Sequence, residues 1–161
     1  MSQGAKANKS GNVLETTVEG ALRGHSYFPV SPNVPKQQQL DYILNYTLLP
    51  KRYARKVYIG TGVYQTDLYV DFYVVGLSAF PSGLIIECKW QESRGSVDEK
   101  YPYLNLNIQH CYPAPSIVIL GGQAMRQGAI GWFKDQVKSN KNLLAVHHSI
   151  DMFVAWANKN L

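Results

Sequence analysis

The chain has 161 residues, 45% apolar and 17% charged, with 16 Lys and Arg against 11 Asp and Glu, a net charge of +5. That length and apolar content suit one domain able to bury a core without disulfides or a structural metal, and they exclude a multidomain enzyme. Cys88 and Cys111 have neither the spacing of a zinc site nor the density of a secreted disulfide framework. No apolar run reaches the roughly 18 residues of a membrane span, and the first residues form no signal-like apolar stretch, so a cytoplasmic protein with reduced thiols is expected.

Residues 1–10 are polar, small and basic, and read as a disordered basic tail ahead of a single domain over 11–161. From Asn12 to Arg23, Leu14, Val18, Ala21 and Leu22 recur at helical spacing and predict an amphipathic helix that Gly24 ends. On a helical wheel Glu15 falls at the edge of the apolar face, whereas Glu19 points further toward solvent. Pro32 and Pro35 mark a loop, and the stretch 37–49 is ambiguous between a short helix and irregular structure. Segments rich in Val, Ile, Tyr and Phe predict strands over 56–61, 68–75 and 84–91, the last two joined as a hairpin around 76–83. A helix is expected within 98–112, a strand over 116–120, a helix over 124–138, a strand over 143–147 and a closing helix capped by Ser149. The fold class is therefore α/β, a mixed central β-sheet flanked by helices, in the order helix, three strands, helix, strand, helix, strand, helix.

The basic excess is local. Up to Gly60 there are eight basic and three acidic residues, whereas from Thr61 onward there are eight of each. Four cations and a tyrosine crowd residues 51–56, a pattern that suits phosphates but equally a solvated basic loop. Arg52, Arg55 and Lys56 are the candidate nucleic-acid contacts there. Arg94 and Lys100, just beyond the third strand, are two more, although 96–100 also reads as a solvated helix start. His147 and His148 are adjacent on a strand, face opposite ways and do not readily share a metal.

The third strand carries the oddest pattern. Alternation places Glu87, Lys89 and Gln91 on one face and Ile86, Cys88 and Trp90 on the other, so a charged face begins inside an apolar strand. Burying such charges is costly unless they pair with one another, bind a metal or open into a cleft. Asp71 is the matching oddity of the preceding strand. With the turn centred between Gly76 and Gly83, antiparallel partners sum to about 159; odd-numbered partners on one face need an even sum, and 158 sets Asp71 opposite Glu87, or diagonal to it where a bulge shifts the register. Two adjacent carboxylates suit a hard divalent cation. A buried ion-pair network with Lys89 is the bland alternative, and Asp67, at the mouth of the same strand, is an alternative ligand.

A helix bearing Glu15, strands bearing Asp71 and then Glu87-Cys88-Lys89 with Gln91, and a following helix and strand resemble the PD-(D/E)XK nuclease superfamily, with its restriction-endonuclease-like fold. The resemblance covers about Gly11 to Gly122, and the segment after it is similar to small nucleases of this kind; Val70 stands before Asp71, where some members have proline. The resemblance implies a Mg²⁺-dependent DNA endonuclease, Mn²⁺ being able to substitute. It implies a metal held by Asp71, Glu87 and the backbone carbonyl of Cys88, with Lys89 and Gln91 among the catalytic residues and Glu15 in the outer or second-metal shell. Within that family the reading leans to site-specific cleavage of duplex DNA, of restriction or homing type, by a homodimer or homotetramer, since the chain has no room for a separate recognition domain. A junction resolvase, a repair nuclease of the same fold and a catalytically silent nucleic-acid-binding module are the alternatives.

Overall fold

A computed structural model describes residues 3–92 and 98–161. The elements are α1 (Gln3–Gly24), β1 (Phe28–Pro29), α2 (Gln39–Asn45), β2 (Arg52–Thr61), β3 (Asp67–Val75), β4 (Leu84–Trp90), α3 (Tyr101–His110), β5 (Ser116–Gly121), α4 (Gln127–Gln136), β6 (Leu143–His147) and α5 (Ile150–Asn160). The strands form one six-stranded sheet in chain order. β2, β3 and β4 make an antiparallel meander, β1 lies parallel to β2, and β5 and β6 continue parallel to β4. Parallel neighbours need long crossovers, which α3 and α4 supply. This is the expected mixed sheet flanked by helices, consistent with a restriction-endonuclease-like fold.

Each face of the sheet carries its own core. Ile43 of α2, Leu104 and Ile108 of α3, and Phe133 of α4 pack with Ala54, Val57, Tyr73 and Ile85 on one face. Leu14, Val18 and Leu22 of α1 and Phe153 of α5 pack with Phe72, Val74, Ile86 and Ile119 on the other. All six residues of β5 are buried, which explains why that strand reads as an unbroken apolar run rather than an alternating one. Ser149 caps α5 as expected, its hydroxyl accepting from the Met152 N–H. Among the described residues, no helix is long and apolar enough to cross a membrane.

Two boundaries differ from expectation by four residues or more. α1 begins at Gln3 rather than Asn12, so it takes in most of the segment read as a disordered tail. No proline interrupts residues 3–24, and a helix already fixed by the Leu14–Val18–Leu22 stripe extends at little cost. β2 begins at Arg52 rather than Lys56, so the basic cluster belongs to a strand and not to a solvated loop. Its charges conceal the strand, yet Tyr53 and Ala54 are both buried. Arg52 is buried too, and its guanidinium donates to the carbonyls of Ile43 (2.7 Å), Leu44 (2.7 Å) and Leu49 (3.1 Å). It therefore satisfies orphan carbonyls at the end of α2 and is not free to meet a phosphate, which corrects its assignment as a nucleic-acid contact.

Candidate active site

β4 has two unequal seams. With β3 it pairs through Val74↔Leu84, Tyr73↔Ile85 and Phe72↔Ile86, the register expected from the turn, and there the pairing stops. With β5 it pairs from Ile85↔Ser116 to Trp90↔Gly121. The β3 side thus opens at the next position, where Asp71 stands. Asp71 Oδ2 accepts the Cys88 N–H at 2.8 Å, in place of a ladder bond. The N–H and C=O of one strand residue leave from the same edge, so the Cys88 carbonyl faces this gap as well.

Asp71 does not reach the gap by simple alternation. Val70 and Tyr73 both pack on the α3 face, as do their partners Val57 and Ala54. Each strand therefore holds one residue more than alternation allows. Lys56 takes the left-handed conformation at φ 53°, uncommon and strained for a residue with a long side chain, at the position facing Asp71. Asp71 and Glu87 converge as expected, both on Lys89, but Asp71 reaches the gap through this matched slip rather than through simple alternation.

Around the gap runs a single line of alternating charges. Arg23 pairs with Glu19, Glu19 with Arg55, Arg55 with Glu15, Glu15 with Lys56 at 3.0 Å, and Lys56 with Asp71. Asp71 continues to Lys89 Nζ at 3.8 Å, and Lys89 to Glu87 at 3.3 Å. Tyr112 closes the line by donating its hydroxyl to Glu87 Oε1 at 2.6 Å. Glu87 has a side chain only 3% exposed. Burial pushes its pKa up to about 7, and the neighbouring Asp71 charge adds to this while Lys89 opposes it. For Asp71, burial acts upward too, but the Lys89 charge, the Lys56 hydrogen bond and the Cys88 N–H outweigh it and hold the carboxyl below its ordinary value. Burial would lower Lys89, but Glu87 and Asp71 together raise it, so its ammonium stays charged.

Glu87 and Lys89 also line a cleft of about 380 Å³, with Tyr69 of β3 and Lys100, Tyr101, Tyr103 and Tyr112 among its other residues. Lys100 is exposed and so open to solvent. Arg94 lies outside the described residues. Gln91 is buried, its Oε1 accepting the Asp98 N–H (3.1 Å) and its Nε2 donating to the Ala124 carbonyl (3.5 Å). It ties together the two chain segments beyond β4 and makes none of the carboxylate contacts described above. Asp67 pairs with Lys36 rather than with the site. His147 packs against Phe153, and His148 contacts Lys134.

Two members of this constellation are not evident from the sequence. Lys56 reads there as a phosphate contact in a loop, and Tyr112 as a packing residue. No sequence signal marks Tyr112, which reaches Glu87 only because the chain turns back after α3.

The profile of the PD-(D/E)XK nuclease superfamily domain matches residues 6–161. The chain belongs to the PD-(D/E)XK nuclease superfamily. No curated protein and no solved structure matches it. PD-(D/E)XK nucleases generally use divalent metals such as Mg²⁺. Among the described residues, no group of three or more His, Cys, Asp and Glu could by itself hold a metal ion. The donor set still fits a hard cation: two carboxylates joined through Lys89 and a main-chain carbonyl at the same gap leave the remaining positions to water and substrate oxygens. Glu87, buried and reluctant to ionise, is a carboxylate short of positive charge.

Proposed function

We propose that the protein is a Mg²⁺-dependent endonuclease that hydrolyses phosphodiester bonds of DNA, with Mn²⁺ able to substitute. The observation that carries this is the opened β3–β4 seam, where Asp71, Glu87, Lys89 and the Cys88 carbonyl converge in a chain of the nuclease superfamily. Asp71, Glu87 and the Cys88 carbonyl would hold the cation. When bound, it polarises the phosphate and eases deprotonation of water. Lys89 is charged in the metal-free protein, so it serves as a donor that orients water and phosphate and offsets negative charge as the phosphorus becomes five-coordinate, rather than as the proton acceptor. Tyr112 fixes Glu87 in one rotamer. Gln91 acts at a distance, holding the segment after β4. Lys100, exposed on the cleft wall, is placed to meet flanking phosphate, and Arg94 keeps that role as a proposal from sequence.

The substrate reading is site-specific cleavage of duplex DNA, of restriction or homing type, by a cytoplasmic homodimer or homotetramer that presents one such site to each strand. Incubating the purified protein with supercoiled plasmid and Mg²⁺, then mapping fragment ends, tests it. Discrete ends are expected, a smear would replace site-specific with nonspecific cutting, and undiminished cutting in excess EDTA would sink the metal-dependent mechanism.

A further inference from the structure

Resting on that reading of the site, we infer that Lys56 occupies the place of a second divalent cation, so that the protein binds one metal ion per site, at Asp71 and Glu87, while Glu15 holds Lys56 and not a metal. Lys56 Nζ lies between Glu15 Oε1, at 3.0 Å, and Asp71 Oδ1. Two carboxylates flanking a gap would otherwise be the natural seat for a hard cation. Both Glu15 oxygens are engaged, one by Lys56 and one by Arg55.

This placement is a property of the main chain and not of one rotamer. The positive φ of Lys56 and the extra residue at Asp71 occur at facing positions of β2 and β3, and together they bring the two side chains to one side of the sheet. A strained conformation kept at such a point is typical of a functional site. Charge bookkeeping agrees. Glu15, Glu19, Asp71 and Glu87 alternate with Arg23, Arg55, Lys56 and Lys89, four acidic groups against four basic. Two divalent ions would load a balanced network with four further positive charges. One ion adds two, which the incoming phosphodiester partly offsets.

The side chain of Lys56 is 56% exposed, so its ammonium sits at the rim of the network. An ammonium has three donors, and two of those of Lys56 meet Glu15 and Asp71. Among the described residues no third acceptor meets it, which leaves that donor for a substrate oxygen. Lys56 thus supplies a fixed positive charge beside the reacting phosphate, and Glu15 is a positioning residue that acts through it.

The test is the number of Mn²⁺ ions bound by the full-length protein, read from the electron paramagnetic resonance signal of free Mn²⁺ and by calorimetry. The wild-type protein should bind one ion. Lys56→Gly, which suits the positive φ, should bind a second, weaker ion, and so should Lys56→Met, which keeps the length of the side chain without the charge. Adding Glu15→Gln to either should abolish that second ion, whereas Glu15→Gln alone should leave the first ion's affinity within about twofold. A wild-type protein that binds two ions, or Lys56 variants that still bind one, would overturn the inference. A wild-type protein that cuts DNA and binds two ions refutes this inference alone. One that binds no Mn²⁺ and cuts no DNA refutes the metal-nuclease reading beneath it.

Discussion

The two seams of β4 divide the work of the protein. The β5 seam runs unbroken along the strand, sealed by a fully buried neighbour and by Gly121, where a Cβ would come within 2.4 Å of the Trp90 ring. The β3 seam closes for three pairs and then parts, admitting four ionisable side chains where a continuous sheet would have placed apolar ones. On the proposed function, position comes from the closed seam and chemistry from the open one. The comparison predicts that damage to the first is read in stability and damage to the second in turnover.

The largest expected effect lies in the open seam. Lys89→Ala and Asp71→Asn should each lower cleavage on the order of a thousandfold, by analogy with the loss of one charge-stabilising donor, with circular dichroism showing a folded protein. A Lys89→Ala protein that unfolds, yet keeps its activity per folded molecule, would return the network to a purely structural role. In the closed seam, Ile119→Ala should cost about 2–5 kcal/mol in urea denaturation and leave turnover per folded molecule unchanged.

A pH series sharpens the contrast. The pKa of Glu87, raised to about 7 in the folded protein, lies above that of an unfolded glutamate, so its ionisation opposes folding. The associated stability is fully present below about pH 4 and is lost as the pH rises toward 7. Glu87→Gln removes this dependence. The metal-free variant should therefore gain on the metal-free wild type between pH 5 and pH 8, by up to about 3 kcal/mol, as read from denaturation midpoints across that range. A constant difference would mean that Glu87 ionises freely in the folded chain.

Smaller effects separate the basic residues. Arg52→Ala should cost about 1.5–3 kcal/mol of stability through its lost carbonyl bonds and leave the salt dependence of DNA binding unchanged. Lys100→Ala should do the reverse, leaving stability intact and reducing the slope of log affinity against log salt by roughly one. An unchanged slope would place the DNA away from this wall of the cleft.

Much of the fold and of the site is legible in the amino-acid sequence. Turn arithmetic places Asp71 against Glu87 because the loop from Gly76 to Gly83 fixes the register of the hairpin, and Ile86↔Phe72 confirms it. Alternation along β4 correctly separates Glu87 and Lys89 from Ile86, Cys88 and Trp90, which pack on the α1 face. What the sequence hides depends on exceptions to periodicity or on distant contacts. The start of β2 is masked because a cation can be strand-compatible when its head finds carbonyls, as Arg52 does. The slip at Lys56 and Asp71 is invisible because arithmetic of period two assumes an unbroken pleat, and Tyr112 joins the site only through the packing of α3.

That slip has a consequence for how such a site can be gained or lost. Val57 and Val70 face each other, as do Arg55 and Phe72, and the only residues between these two rungs are Lys56 and Asp71. Excising both at once would leave consecutive rungs with regular in-and-out order, an inert hairpin of ordinary construction. Excising either alone would leave the other as a one-residue bulge in the hairpin. Lys56 and Asp71 thus form a matched pair of inserted residues: removing both restores a regular hairpin, whereas removing one leaves a bulge.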